Sequence, residues 1–161
     1  MTDPESPLSG PRLVQVGTKM MPIPDAERMV RRSATWFWWV AGLSLVNSFA
    51  VATEMKYRMI IGLGMTQLVD ELFPAREAIH LGLVFGLVAL FLAFGFFARR
   101  LSAAAYLTGI IVYAADAVVF LLAGDWISVG FHVFVLIMLW GGYSALRAVR
   151  LASRDAPGAA A

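Results

Sequence analysis

Cysteine is absent from this 161-residue chain, which excludes disulfide frameworks, thiolate metal clusters, dithiol redox chemistry and a lipid-modified N-terminal cysteine. Charge is scarce: Asp, Glu, Lys and Arg make up 15% of the residues, against 60% hydrophobic ones. So little polar surface cannot cover a water-facing domain, and a lipid bilayer is the expected solvent. The basic residues flank apolar runs and are not interleaved with aromatics on one face, so no nucleic-acid partner is expected. Residues 1–24 lack an apolar leader and a small-residue cleavage site, and do not read as a signal peptide.

What the chain does have is apolar runs of the right length. Residues 33–53, 78–98, 103–123 and 126–146 are each about 20 mostly apolar residues, enough to cross a hydrocarbon core about 30 Å thick. A further stretch, MIIGLGMTQLV from Met59 to Val69, lies between Arg58 and Asp70-Glu71, and its run of about 11 residues is too short to cross. Residues 57–72 therefore read as a re-entrant or interfacial helix. The expected fold class is all-α: a polytopic membrane protein, with four transmembrane helices over residues 25–150 and the short helix between the first and second. Residues 1–24 hold five of the seven prolines and no periodic pattern, and predict a flexible tail. Helix is expected from Asp25, a residue suited to an N-cap. Residues 151–161, ending in DAPGAAA, predict a second flexible tail.

The charges orient this scheme. With four crossings, ten basic residues (Arg12, Lys19, Arg28, Arg31, Arg32, Arg99, Arg100, Arg147, Arg150, Arg154) share one side and Lys56, Arg58 and Arg76 the other. Were the short stretch to cross as well, the split would be six against seven. The positive-inside rule selects the first arrangement, with both tails cytoplasmic and, in a bacterium, the inner membrane as the location. Trp36, Trp38 and Trp39 then fall at the inner interface and Trp126 at the outer one, where amphipathic rings are favoured.

Polar groups inside the spans are the candidates for function. Asp116 lies eight residues before Gly124 and His132 eight after it, so a hairpin turning at Gly124-Asp125 puts both at one depth, about 5 Å to the outer side of the midplane. Asn47 falls at about the same height on the first span, with Ser44 and Ser48 on its face. Tyr106, Gly109, Tyr113 and Asp116 form a heptad-like stripe, and Tyr113 is placed to donate a hydrogen bond to Asp116 from one turn below. On the short helix Gln67 and Asp70 share a face, while Gly62 and Gly64 permit a bend. The candidate polar layer is thus Asp116, His132, Asn47, Tyr113, Gln67 and Asp70, with His80 and Glu77 as secondary candidates near the outer end of the second span.

Each group has a plainer reading. Asp116 and His132 can pair as a structural clamp, because an unpaired charge in hydrocarbon is costly. Asn47 with its serines can be interhelical glue. Gly82 and Gly86 form a GxxxG that brings two helices close, within the chain or between chains. Two histidines raise haem ligation, but their depths differ by about 6 Å. A metal held by His80, His132, Asp116 and Asp70 has suitable ligand types and no diagnostic spacing. No cofactor is predicted, with haem or a metal as lesser readings. Ser128 sits one turn from His132 on the same helix, the wrong placement for a nucleophile and its base, so no catalytic set is assigned.

The stretches WFWWVAGLSLVNSFA, GLGMTQLVDEL, GDW and FHVFVLIMLWGGYSALRAVR resemble small four-helix bacterial membrane proteins with no established activity, over most of residues 33–150. That resemblance implies the fold and adds no site residues. Small multidrug transporters also have four spans, but here Asn47 stands where their essential mid-membrane glutamate would be expected, and the short helix is extra. The leading expectation is a small integral membrane protein acting through helix packing with itself or a membrane partner. The alternative is a proton- or ion-coupled carrier or binding protein using Asp116 and His132, and an intramembrane enzyme is a third.

Overall fold

The computed structural model describes residues 11–53, 63–72 and 78–155. Strands β1 (Leu13–Val16) and β2 (Lys19–Pro22) precede helices α1 (Ile23–Ala52), α2 (Gly64–Leu72), α3 (Ala78–Arg99), α4 (Ala103–Ala123) and α5 (Trp126–Arg154). Helices α3, α4 and α5 are each long and apolar enough to cross a membrane, which makes this a multi-pass membrane protein.

The long helices pack in a ring, α1 on α3, α3 on α4, α4 on α5 and α5 on α1, with α2 against α1, α3 and α4. Buried residues recur at three- and four-residue spacing. On α4 they are Tyr106, Gly109, Ile110, Tyr113, Asp116 and Phe120, the stripe that the sequence predicts. On α5 they run from Ser128 and His132 through Val135, Leu139 and Gly142 to Val149. The opposite faces stay apolar but uncovered, as at Phe85, Leu122 and Ile137. A helix apolar all round belongs in lipid or a large core, and a chain of this size has no such core.

Close packing sets the spacing of the ring. A Cβ at Gly109 would meet the Phe37 ring at 2.7 Å, and one at Gly142 would collide with the Tyr106 hydroxyl and Ser33. Without water to expel, such contacts and the hydrogen bonds between helices are what hold membrane helices together. Ser33 supplies one, donating its hydroxyl to the Met138 carbonyl at 2.5 Å.

Three expectations need correction. Residues 11–24 are not a tail. Leu13–Val16 pairs antiparallel with Lys19–Pro22, and the alternation that buries Val14 and Val16 docks this hairpin on α5 and α1. Gly17, at φ +59, takes the left-handed conformation that the turn needs. Helix α1 starts at Ile23, so Asp25 lies in its first turn and pairs with Arg28 instead of capping. At the other end α5 continues to Arg154, because the sequence through Arg147, Arg150 and Arg154 holds neither Gly nor Pro to stop it. Residues 1–10, 54–62, 73–77 and 156–161, and with them Lys56, Arg58, Arg76 and the start of the short-helix expectation, lie outside the described residues.

Candidate functional site: a buried carboxylate at a helix N-terminus

Helix α4 ends at Gly124, whose φ of 72 closes the helix with bonds from its own N–H to the Phe120 and Leu121 carbonyls. Asp125 then caps α5, accepting the Ser128 N–H at 3.1 Å and the Ser128 hydroxyl at 2.6 Å. Those bonds, the hydroxyl foremost, hold the Asp125 carboxyl below the usual carboxylate range. This tight hairpin sets Asp116 and His132 at one level, as the sequence arithmetic requires. His132 Nε2 lies 2.9 Å from Asp116 Oδ2, and both side chains are fully buried.

The carboxylate has two more partners. The Gly64 N–H donates to Oδ2 at 2.9 Å and the Met65 N–H to Oδ1 at 2.7 Å. The first residues of any helix carry N–H groups without intrahelical acceptors. Here Asp116, on another helix more than fifty residues away, takes the part of an N-cap for α2, at the positive end of its dipole. One residue earlier the Leu63 N–H donates to Ser44 Oγ at 2.7 Å, while the Ser44 hydroxyl donates to the Val40 carbonyl. Thr66 closes the turn by donating to the Leu63 carbonyl. Glycine at position 64 lets this approach proceed without strain, since a Cβ there would meet the Phe120 ring at 2.8 Å and force a shift.

The imidazole is equally constrained. His132 Nδ1 lies 2.8 Å from the Ser128 carbonyl, which can only accept, so Nδ1 carries a hydrogen. One proton is then left to lie between Nε2 and Oδ2. Either it sits on nitrogen, as a carboxylate–imidazolium pair, or on oxygen, as a neutral pair, and the net charge is zero in both cases. The Tyr113 ring stacks on the imidazole with centroids 4.5 Å apart and planes at 15°, and Phe120 covers it at 4.9 Å.

Not every candidate joins this cluster. Tyr113 does not donate to Asp116: its hydroxyl has no hydrogen-bond partner among the described residues, because stacking on His132 points the oxygen elsewhere. Asn47 is fully buried, yet neither its oxygen nor its nitrogen has a partner among them. Gln67 is half-buried, with its backbone N–H bonded to the Leu63 carbonyl. His80 is buried on α3 and lines a separate small cavity with Ser48 and Phe49 of α1. The Asp70 side chain and Glu77 fall outside the described residues, and among those described no three His, Asp or Glu side chains gather as a metal site.

Sequence reasoning missed Gly64, Met65, Phe120 and the Ser44–Leu63 bond. The glycine was visible as a bend, but a backbone N–H carries no sequence signal of its destination. No known protein family, no curated protein and no solved structure matches the chain, so the reading of this cluster rests on its geometry.

Proposed function

We propose that the chain is a four-span membrane protein with both termini cytoplasmic, in which α1 is the fourth crossing and α2 is re-entrant from the outer side, and that it works through its helical surfaces, by packing with further copies of itself. The observation that carries this reading is the GxxxG on α3. Gly82 and Gly86 are exposed, and a Cβ at either would meet nothing within 4 Å. These small residues are therefore not spent on packing against the described residues and leave a strip open to a second helix. The Asp116–His132 pair fits the same reading as a latch, because its ring nitrogens and carboxylate oxygens all have partners inside the fold.

Mass determination and cross-linking in a mild detergent test this. The wild type should run as an oligomer, and G82L/G86L should run as a monomer with a nearly unchanged melting temperature, since a Cβ at either position meets no described atom of its own chain within 4 Å. A monomeric wild type, or oligomers indifferent to both leucines, would contradict the proposal.

A second reading, a proton-coupled carrier, is favoured by the 2.9 Å contact between Nε2 and Oδ2, across which a proton can pass. It requires that proton to leave. Liposomes carrying the protein should dissipate an imposed pH gradient no faster than empty ones if the pair is a latch. Dissipation that H132Q abolishes would establish the carrier instead.

A further inference from the structure

We propose that the groove between α1 and α3, at the arginine-rich end of the helices, is a binding site for the phosphate of an anionic phospholipid headgroup. Arg99 donates to the Arg31 carbonyl at 3.2 Å, so the end of α3 and the first half of α1 meet there. The groove, about 270 Å³, is lined by Arg31, Trp38, Phe96, Arg99 and Arg100.

Its parts are fixed before any ligand arrives. The Trp38 indole N–H donates to the Leu92 carbonyl at 3.1 Å, and the ring approaches α3 closely because position 95 is glycine: a Cβ there would collide with the indole. On that ring sits the Arg99 guanidinium, 5.0 Å from the centroid, while the Arg100 guanidinium lies 4.2 Å from the Phe96 centroid. A guanidinium held over a ring keeps N–H groups for the oxygens of a phosphate, and Arg99 spends one on the Arg31 carbonyl while retaining its others. Glu27 is paired with Arg31 at 3.1 Å. Arg99 and Arg100 meet no carboxylate among the described residues.

The position selects the source of the phosphate. Arg99 is in the last turn of a helix apolar enough to cross the membrane, so the guanidiniums stand at headgroup height. Trp38, Phe96 and Leu92 remain 39%, 44% and 45% exposed just toward the membrane centre, offering acyl chains an apolar wall beneath the charge. A soluble phosphate would use the arginines and leave that wall bare. A lipid uses both.

Native mass spectrometry of the whole protein, released from micelles holding equal amounts of phosphatidylglycerol and phosphatidylcholine of the same acyl chains, tests the site. The phosphatidylglycerol adduct should be favoured by about thirty-fold, the scale of two arginines at about 1 kcal/mol each at an anionic surface. R99Q/R100Q should bring the ratio close to one, whereas R147Q/R154Q, which removes as much charge from the same end, should leave it unchanged. R99K/R100K keeps the charge without the stacked planar edges and should lose at least half of the preference, which preserves the test if the glutamine variant fails to fold. Inorganic phosphate at millimolar concentration should not displace the lipid. Equal adducts of the two lipids, or an equal loss in R147Q/R154Q, would overturn the site. Displacement by inorganic phosphate would overturn the lipid as its occupant.

Discussion

Asp116 and Asn47 are both fully buried toward the same end of the helices, and the protein treats them in opposite ways. The Asp116 carboxylate receives bonds from two backbone N–H groups and faces an imidazole. The Asn47 amide receives and donates none among the described residues. One buried polar group ties α4 to α2 and α5, and the other makes no side-chain hydrogen bond among the described residues. The difference teaches that burial does not measure how much a polar residue matters: the number of groups that depend on it does.

The largest effect should come from Asp116→Leu. It leaves the Gly64 and Met65 N–H groups and the His132 ring without their acceptor, and the loss expected on breaking a buried pair is about 3–5 kcal/mol. His132→Leu should cost less, about 1–3 kcal/mol, because the carboxylate keeps both backbone donors. Thermal unfolding in detergent should give that order. The reverse order would mean that the pair, and not the helix cap, is what holds this layer.

Gly64→Ala should rank next. It retains every bond to Asp116 but drives a methyl into the Phe120 ring, and overpacking of this kind costs about 1–3 kcal/mol. Adding Phe120→Leu should recover part of that loss, since a smaller side chain leaves room for the methyl.

Asn47→Leu sharpens the contrast. No hydrogen bond among the described residues is lost, so stability should stay within about 1 kcal/mol of wild type or rise. A fall as large as that of Asp116→Leu would erase the distinction between the two residues.

The smallest effect belongs to Asp125. Its carboxyl is held below the ordinary range by the Ser128 hydroxyl and amide, so its contribution is complete above the unfolded-state value, about 4, and is lost as pH falls through the lowered folded one. Asp125→Ala should therefore cost about 1 kcal/mol or less near neutrality, the low end for a helix cap on a partly exposed residue, and should cost nothing in strong acid. Melting curves of both proteins across acidic pH should converge.

Much of this was legible in the sequence for physical reasons. Length and apolarity reveal α3, α4 and α5, and a helical rise of about 1.5 Å per residue puts Asp116 opposite His132 once Gly124-Asp125 is read as the turn. Three- and four-residue spacing shows which face of α4 turns inward. The hairpin was hidden because its alternation spans only four residues a strand inside a proline-bearing segment. Depth alone groups Asn47 with Asp116 in the sequence, and equal depth says nothing about rotation across helices. The cap on α2 was hidden most deeply, for its donors are main-chain N–H groups at Gly64 and Met65.

The claim that Asp116 is the N-cap of α2 is tested most directly by hydrogen exchange at those two amides. In the wild type, Gly64 and Met65 should exchange slowly. In Asp116→Asn, which keeps the side-chain volume but replaces one acceptor oxygen with an NH₂ donor, they should exchange at least ten-fold faster while Val135 and Leu139 in the middle of α5 are unaffected. Equal protection of Gly64 and Met65 in both proteins would contradict the account.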